Sequence, residues 1–253
     1  RASQQALVVA PETAIPLLPR HLPEGYWSGL QQHFAQPGRP LALIGVPLGS
    51  LAEGYANSVV AMGPQGQADY RYDKHHLVPF GEFIPTGFAW FVRAMHIPLG
   101  EFERGASPQA PWGWGGLLWA PNICYEDLFG EELARSFGQA QGPDVMVNFS
   151  NIAWFGDTVA QAQHLNISRM RTLELQRPMV RVTNTGATAV IDHQGVVQAK
   201  APQWQRTVLQ AEVDGRTGPP TFYARWAGTW GLWPLWGVGV LALWLARGRS
   251  RRA

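Results

Sequence analysis

Short apolar runs separated by turn-forming residues alternate with amphipathic stretches along most of the chain. Apolar runs of about four to eight residues bounded by Gly, Pro, Asn or Asp are typical of β-strands. The predicted strands are Ala6–Ala10, Leu41–Val46, Tyr55–Met62, Ala68–Tyr72, Gly116–Ile123, Val145–Phe149, Met179–Thr183, Ala187–Asp192, Val196–Lys200 and Val208–Val213. Apolar residues at helical spacing predict helices over Glu24–Ala35, Gly130–Gln141 and Thr158–Gln176. Strands mixed with helices predict a layered domain of the α/β or α+β class.

Two turn signals predict hairpins within this pattern. Gly63–Gly66 (GPQG) separates the third predicted strand from the fourth, and His193–Gly195 (HQG) separates two later ones. Glycine and proline favour tight turns because they adopt backbone conformations that other residues avoid.

The C-terminal stretch from Ala227 to Ala246 carries no charged side chain. As one helix it would be about 30 Å long, which matches the hydrocarbon core of a bilayer. Arginines follow it at positions 247, 249, 251 and 252. The pattern predicts a transmembrane helix over 227–246 and a basic cytoplasmic tail over 247–253, since basic residues favour the cytoplasmic side. The alternative is a buried C-terminal helix of a soluble domain.

The composition excludes several classes of protein. Lys and Arg number 20 against 18 Asp and Glu, and this net charge of +2 argues against a nucleic-acid partner. The hydrophobic content of 46% excludes a disordered chain. One cysteine excludes an internal disulfide and a multi-cysteine metal site. Because no export signal is visible at the start, we expect the sequence to be a fragment that lacks an N-terminal part.

Three chemistry-bearing residues each follow a predicted strand. Glu12 follows the first, Lys74 follows Ala68–Tyr72, and Cys124 follows Gly116–Ile123. Since strand ends of one sheet lie near one another, the three can converge. A carboxylate can then take the thiol proton, while the ammonium stabilises the oxyanion formed when the thiolate attacks a carbonyl. The alternatives are a buried, unreactive cysteine and a solvated Glu–Lys salt bridge.

Longer motifs around these residues carry a family resemblance. PETA at 11–14, YDKHHLVPFGE at 72–82 and ICYE at 123–126 resemble the Glu–Lys–Cys motifs of the nitrilase superfamily. Within it, YDKHHLVPFGEFIP and ICYED are similar to the apolipoprotein N-acyltransferase family of bacterial inner-membrane enzymes. The similarity continues through NFSN at 148–151, WFGD at 154–157, Gln163-His164 and TNTG at 183–186.

The resemblance implies a fold and a set of roles. The fold is a four-layer αββα nitrilase-like sandwich over 1–222, without its usual first strand, followed by one transmembrane helix. In full length the protein would be multi-pass, with the catalytic domain in the periplasm and the C-terminus in the cytoplasm. Glu12 would be the general base, Lys74 would stabilise the tetrahedral intermediate, and Cys124 would be the nucleophile. Supporting roles are implied for Glu82, Tyr125 and Glu126, and no metal or organic cofactor is expected.

The implied reaction moves an acyl chain from a phospholipid, through a cysteine thioester, to the N-terminal amine of a diacylglyceryl apolipoprotein. The partners are therefore two lipid-linked substrates and a membrane. The apolar stretch with Phe88, Trp90 and Phe91 is interpreted as a lipid-facing lid, or else as an ordinary core helix. Two alternatives remain. A soluble amidase or nitrilase would lack the membrane helix, and an inactive lipid-binding module would be favoured if Glu, Lys or Cys were missing, whereas all three are present.

Overall fold

Two β-sheets form the centre of the protein. The computed structural model describes residues 6–64, 69–85, 102–138 and 142–250. The first sheet has the order β1 (Leu7–Ala10), β2 (Leu41–Ser50), β3 (Gly54–Met62) and β4 (Arg71–Asp73). The second has the order β10-β9-β8-β7-β6-β5, from β5 (Trp112–Trp114), β6 (Leu117–Ile123), β7 (Val145–Ser150), β8 (Met179–Thr183), β9 (Ala189–Ile191) and β10 (Val197–Lys200).

Strand direction determines where the chain leaves each sheet. Strands β6, β7 and β8 are parallel neighbours, so Ile123, Ser150 and Thr183 end at the same edge. Strands β1 and β2 are also parallel, while β2, β3 and β4 pair in antiparallel fashion. The residues that follow the parallel strands are therefore brought together at one edge of the second sheet.

Alternating side chains divide the core into layers. Leu41 and Leu43 of β2 pack between the two sheets, against residues such as Ile123 and Phe149 of the second sheet. Ala42 and Ile44, on the opposite face of β2, pack with Phe34. This two-residue period is that of a strand buried on both faces.

Helices cover both outer faces. Helix α1 (Tyr26–Ala35) lies on the first sheet. Helices α2 (Gly130–Arg135), α3 (Val159–Leu175) and α4 (Phe222–Trp230) cover the second, where Leu165, Leu175, Ala224 and Ala227 are buried. The predicted αββα sandwich is thus confirmed.

Some predicted elements differ from the structure. The predicted strand Val208–Val213 is wrong: the segment pairs with no strand in the described part of the chain, and Val208 is 83% exposed. Alternating apolar residues are typical of a strand, but a strand forms only where another strand is available to pair with it. The helix predicted to Gln141 ends at Arg135 and continues as a short 3₁₀ turn over Ser136–Gly138. The turn at Gly63–Gly66 lies partly outside the described residues.

The C-terminal region contains two helices where the sequence predicts one. Helix α4 ends at Trp230, and α5 (Trp233–Ser250) begins after Gly231, whose φ is 56°. Pro234 is the second residue of α5, where its missing N–H is not needed, so it starts a helix instead of kinking one. Among the described residues no single helix has the length and apolar character of a membrane span. Helix α4 and residues 233–247 of α5 reach that length and apolar character when they are taken together, and they meet at a bend of 78°.

The close packing of α4 on α2 gives a stability prediction. A Cβ added at Gly228 would lie 2.6 Å from the main-chain oxygen of Ala134, whereas one at Gly239 in α5 would meet nothing within 4 Å. We expect Gly228→Ala to lower the free energy of unfolding by about 1–3 kcal/mol through overpacking. Gly239→Ala should cause no loss, since alanine is the better helix former. Thermal unfolding measures both, and equal effects would contradict the packed position of α4.

Candidate active site

The three residues singled out by the sequence meet at the strand ends. Glu12 follows β1, Lys74 follows β4, and Cys124 follows β6. Lys74 is 1% exposed and its Nζ lies 3.2 Å from Glu12 Oε1. Because both partners are buried, this pair is not a solvated surface salt bridge.

A second carboxylate shares the same ammonium. Glu82 Oε1 lies 2.8 Å from Lys74 Nζ. Asn57 Nδ2 donates to Glu12 Oε1 at 2.6 Å and to Glu82 Oε1 at 3.1 Å. Burial alone would lower the pKa of Lys74, but the charges of Glu12 and Glu82 outweigh it and raise that pKa above its usual value. Lys74 is therefore a permanent cation at neutral pH.

Main-chain donors fix the other oxygen of each carboxylate. Asn151 N–H donates to Glu12 Oε2 at 2.7 Å, and Val78 N–H donates to Glu82 Oε2 at 2.8 Å. Each carboxylate is thus held at both oxygens, which leaves it little freedom to rotate. A base held this way is aligned before a substrate arrives.

Cys124 opens the short 3₁₀ turn Cys124–Leu128 with a φ of 52°. That left-handed conformation is unusual for a residue other than glycine and is found where a site imposes it. Burial, followed by the charge of Glu12, raises the pKa of the thiol to about 12, against the opposite effects of Lys74 and Arg181. The resting thiol is therefore neutral and needs a base to become a nucleophile.

Glu126 fastens the turn Cys124–Leu128 to the segment after β4. Its carboxylate accepts hydrogen bonds from the N–H groups of Ile123 (2.6 Å), His75 (2.6 Å) and His76 (3.1 Å), and from Tyr72 OH (2.8 Å). Burial raises its pKa, although these donors act in the opposite direction. With four donors on two oxygens, Glu126 positions Cys124 and Lys74 relative to each other.

The neighbouring Tyr125 contributes an aromatic wall beside Cys124. Its ring makes edge contacts with those of His76, at 5.6 Å between centroids, and Phe129, at 5.2 Å. Its own N–H directly follows Cys124 in the chain, which is a suitable place for an oxyanion donor if the thiol attacks a carbonyl.

Sequence reasoning missed several residues of the site. Asn57 lies within β3, where a buried polar residue in an apolar strand was the available signal. Asn151 and His164 were noted as parts of motifs but without a role. Arg181 gave no signal, because its neighbours are distant in sequence.

The predicted lipid-facing residues Phe88, Trp90 and Phe91 lie outside the described residues. Two exposed aromatic side chains lie in the described segment that follows β7. Trp154 is 86% exposed and Phe155 is 55% exposed, shortly after Asn151. The described ranges contain no group of three or more His, Cys, Asp or Glu side chains placed to hold a metal.

His164 gives a pH prediction. Burial, followed by the charge of Arg181, lowers its pKa from 6.5 to about 3. Between these pH values the unfolded chain binds a proton that the folded chain does not, so acidification from pH 6.5 towards 3 destabilises the fold. His164→Gln should reduce this slope by up to about 1.4 kcal/mol per pH unit. Unfolding of both proteins from pH 4 to 7 tests this, and parallel curves would contradict it.

Comparison with known proteins places this geometry in a family. Residues 2–219 match the family model described as carbon-nitrogen hydrolase. The chain is 56% identical over 240 residues to a protein of Verminephrobacter eiseniae named apolipoprotein N-acyltransferase, with 92% of this chain and 45% of that protein covered. It is 50% identical to one of the same name from Ralstonia nicotianae, with 98% and 46% covered. The chain thus spans about half the length of these curated relatives.

A solved structure supports the fold independently. A CN-hydrolase superfamily protein from Xanthomonas campestris, with an arsenic adduct in its active site, superposes with a TM-score of 0.58 at 20% identity. The match covers 92% of this chain and 84% of that one. With its αββα sandwich and with Glu12, Lys74 and Cys124 placed at the strand ends, the chain belongs to the carbon–nitrogen hydrolase family.

Proposed function

We propose that this chain is the catalytic part of an apolipoprotein N-acyltransferase. It moves a fatty acyl chain from a phospholipid to the N-terminal amine of a diacylglyceryl-cysteine apolipoprotein. The observation that carries the proposal is the buried contact of Lys74 Nζ with Glu12 Oε1 beside Cys124, in a chain 50–56% identical to proteins of that name. Family membership alone would fit an amidase equally well.

The first half-reaction forms a thioester. Glu12 takes the proton from the Cys124 thiol as the sulfur attacks the ester carbonyl of the phospholipid. Lys74 uses one N–H for Glu12 and one for Glu82, so a third can donate to the oxyanion together with the Tyr125 N–H. When the tetrahedral intermediate collapses, the ester C–O bond breaks. The lysophospholipid leaves as an alcohol with the proton that Glu12 held.

The second half-reaction forms the amide. The acceptor amine attacks the thioester carbonyl and Glu12 accepts its proton. The C–S bond breaks, and the cysteine sulfur recovers a proton from Glu12. One ester bond is broken and one amide bond is formed, without any redox step or cofactor. Splitting the transfer into two thioester steps avoids the direct aminolysis of an unactivated ester.

The surface of α5 supports a membrane location. Its apolar side chains are exposed all around the helix, which is unfavourable in water and favourable in lipid. They belong to Trp233, Leu235, Trp236, Val238, Val240, Leu241, Leu243, Trp244 and Leu245. Exposed Trp154 and Phe155 add further apolar surface in the segment that follows Asn151, whose N–H donates to Glu12, and such a surface suits a lipid substrate.

The orientation follows from the charged C-terminus. Arg247, Arg249, Arg251 and Arg252 follow the apolar part of α5. The positive-inside rule favours the cytoplasm for this tail and the periplasm of a bacterial inner membrane for the catalytic domain. A reporter fused after Ala253 should read as cytoplasmic, and a periplasmic signal would contradict the orientation.

The thioester is the direct test of the mechanism. The intact protein is incubated with a phospholipid labelled in its acyl chain and without an acceptor, and the protein is assayed for label that hydroxylamine releases. Wild type should carry the label. Cys124→Ala should carry none because the bond cannot form. Glu12→Gln and Lys74→Met should lose labelling by a hundredfold or more, on the scale of a missing base or oxyanion donor.

A surface variant controls for nonspecific damage. Glu24→Gln changes an exposed glutamate remote from the site and should label like wild type. Normal labelling of Glu12→Gln would disprove its role as the base, and labelling of Cys124→Ala would disprove the acyl-enzyme. If wild type hydrolyses short amides and takes no label from phospholipid, the chain acts as an amidase.

A further inference from the structure

Three polar residues form a ladder across the second sheet, on the face opposite the inter-sheet core. Asn122 of β6, Asn148 of β7 and Arg181 of β8 are aligned in register. Their chain neighbours Ile123, Phe149 and Val182 lie in the inter-sheet core, so the polar side chains point towards α3. Arg181 and Asn148 are 0% exposed. A charged side chain this deeply buried calls for a compensating partner.

The contacts of Arg181 lead to the turn that carries the nucleophile. Its Nη1 donates to Asn148 Oδ1 at 2.8 Å and to Ser168 Oγ at 2.9 Å. Ser168 in turn donates to Asp127 Oδ2, and Arg181 Nη1 lies 3.8 Å from that same oxygen. Asp127 belongs to the turn Cys124–Leu128. The arginine is therefore linked to the turn that carries Cys124 through the Ser168 hydroxyl and the Asp127 carboxylate.

Helix α3 supplies the hydroxyl of this link. Ser168 lies on that helix, donates to Asp127 Oδ2 and accepts from Arg181 Nη1. The turn is therefore held from behind at its fourth residue, Asp127.

The burial of Arg181 contributes little to the stability of the fold. Arg181 has one carboxylate neighbour at 3.8 Å, and its Nε and Nη2 find no hydrogen-bond partner among the described residues. Desolvation accordingly lowers the pKa of Arg181 from its usual value. Apolar residues of similar size are often as stabilising as a buried ion pair, or more so. A role in the reaction accounts for a buried cation at this place better than stability does.

The charges facing Cys124 show what that role is. Glu12 is the anion, and Lys74 and Arg181 are the cations. Lys74 is already engaged by Glu12 and Glu82, whereas Asp127 is the only counter-ion of Arg181 among the residues that the structure describes. The charge of Arg181 lowers the pKa of the Cys124 thiol, and a thiolate at Cys124 raises the pKa of Arg181. When Glu12 becomes neutral by taking the proton, two positive charges face the new thiolate.

We propose that Arg181 is a positioning residue for the acyl transfer. Its buried guanidinium holds the Cys124 turn through Ser168 and Asp127, and it places a fixed positive charge behind the sulfur. The role in transfer rests on the proposed function, but the effect on the thiol can be measured without any acyl substrate.

The experiment measures the reactivity of Cys124 as a function of pH. The intact protein is treated with iodoacetamide between pH 7 and 9.5, and modification of the Cys124 peptide is quantified by mass spectrometry. The rate follows the thiolate fraction. Arg181→Met should slow alkylation about tenfold across this range, as for a rise of about one unit in thiol pKa. Arg181→Lys keeps the charge and should restore most of the rate.

A second buried arginine provides the matched control. Arg177 is buried and donates to the main-chain oxygens of Pro143 and Gly218, both at 2.6 Å, and it is not among the charges acting on Cys124. Arg177→Met should lower thermal stability but leave the alkylation profile unchanged. Equal slowing by Arg177→Met and Arg181→Met would mean a structural role only and would overturn the proposal.

A variant with the opposite sign covers the case in which Arg181→Met fails to fold. Asp127→Asn keeps the shape of the side chain and removes the counter-ion of Arg181, so alkylation of Cys124 should become several-fold faster. Unchanged or slower alkylation would overturn the proposal. Phospholipid labelling is measured separately, so its absence in a wild type with normal alkylation counts against the proposed function and not against the role of Arg181.

Discussion

The site depends on the ion pairs that the buried ammonium of Lys74 forms with two carboxylates. Lys74 Nζ lies 3.2 Å from Glu12 Oε1 and 2.8 Å from Glu82 Oε1, and Lys74 has almost no exposure to solvent. Two carboxylates this close would repel each other strongly in a buried environment, where screening is weak. Lys74 provides the balancing charge, while Asn57 and the N–H groups of Asn151 and Val78 supply hydrogen bonds. In the mechanism we propose, the cation that holds the base Glu12 is thus also the one that donates to the oxyanion.

The sandwich brings this arrangement together from distant parts of the chain. The first sheet provides Glu12 and Lys74 at its strand ends and Asn57 within β3, and the second provides Cys124 and Asn151 after parallel strands. Glu126 ties the two sheets beside Cys124 by accepting hydrogen bonds from the N–H of His75 on one side and of Ile123 on the other. Behind the second sheet, Asp127, Ser168 and Arg181 hold the same turn. The position of Cys124 is therefore set by contacts on two opposite sides.

Part of this was predictable from the sequence, for a local reason. Cys124 directly follows an apolar strand, Glu12 comes two residues after another, and Lys74 follows a short one, so the position of each could be inferred from its own segment. Asn57 and Arg181 could not be assigned in that way, because their partners are fixed by strand register and by packing between layers. The break after Trp230 was missed for a similar reason. An uncharged run indicates an apolar helix, but the burial of Ala227 against the domain is a tertiary contact that separates α4 from α5.

The destination of the acyl group tests the central claim most directly. The intact protein is given a phospholipid labelled in its acyl chain, together with a diacylglyceryl-cysteine peptide whose N-terminal amine is either free or acetylated. The account predicts that label moves to the free amine as a hydroxylamine-resistant amide, and that the acetylated peptide remains unlabelled. Label released only as free fatty acid, with no labelled peptide in either reaction, would contradict acyl transfer and identify the chain as a hydrolase.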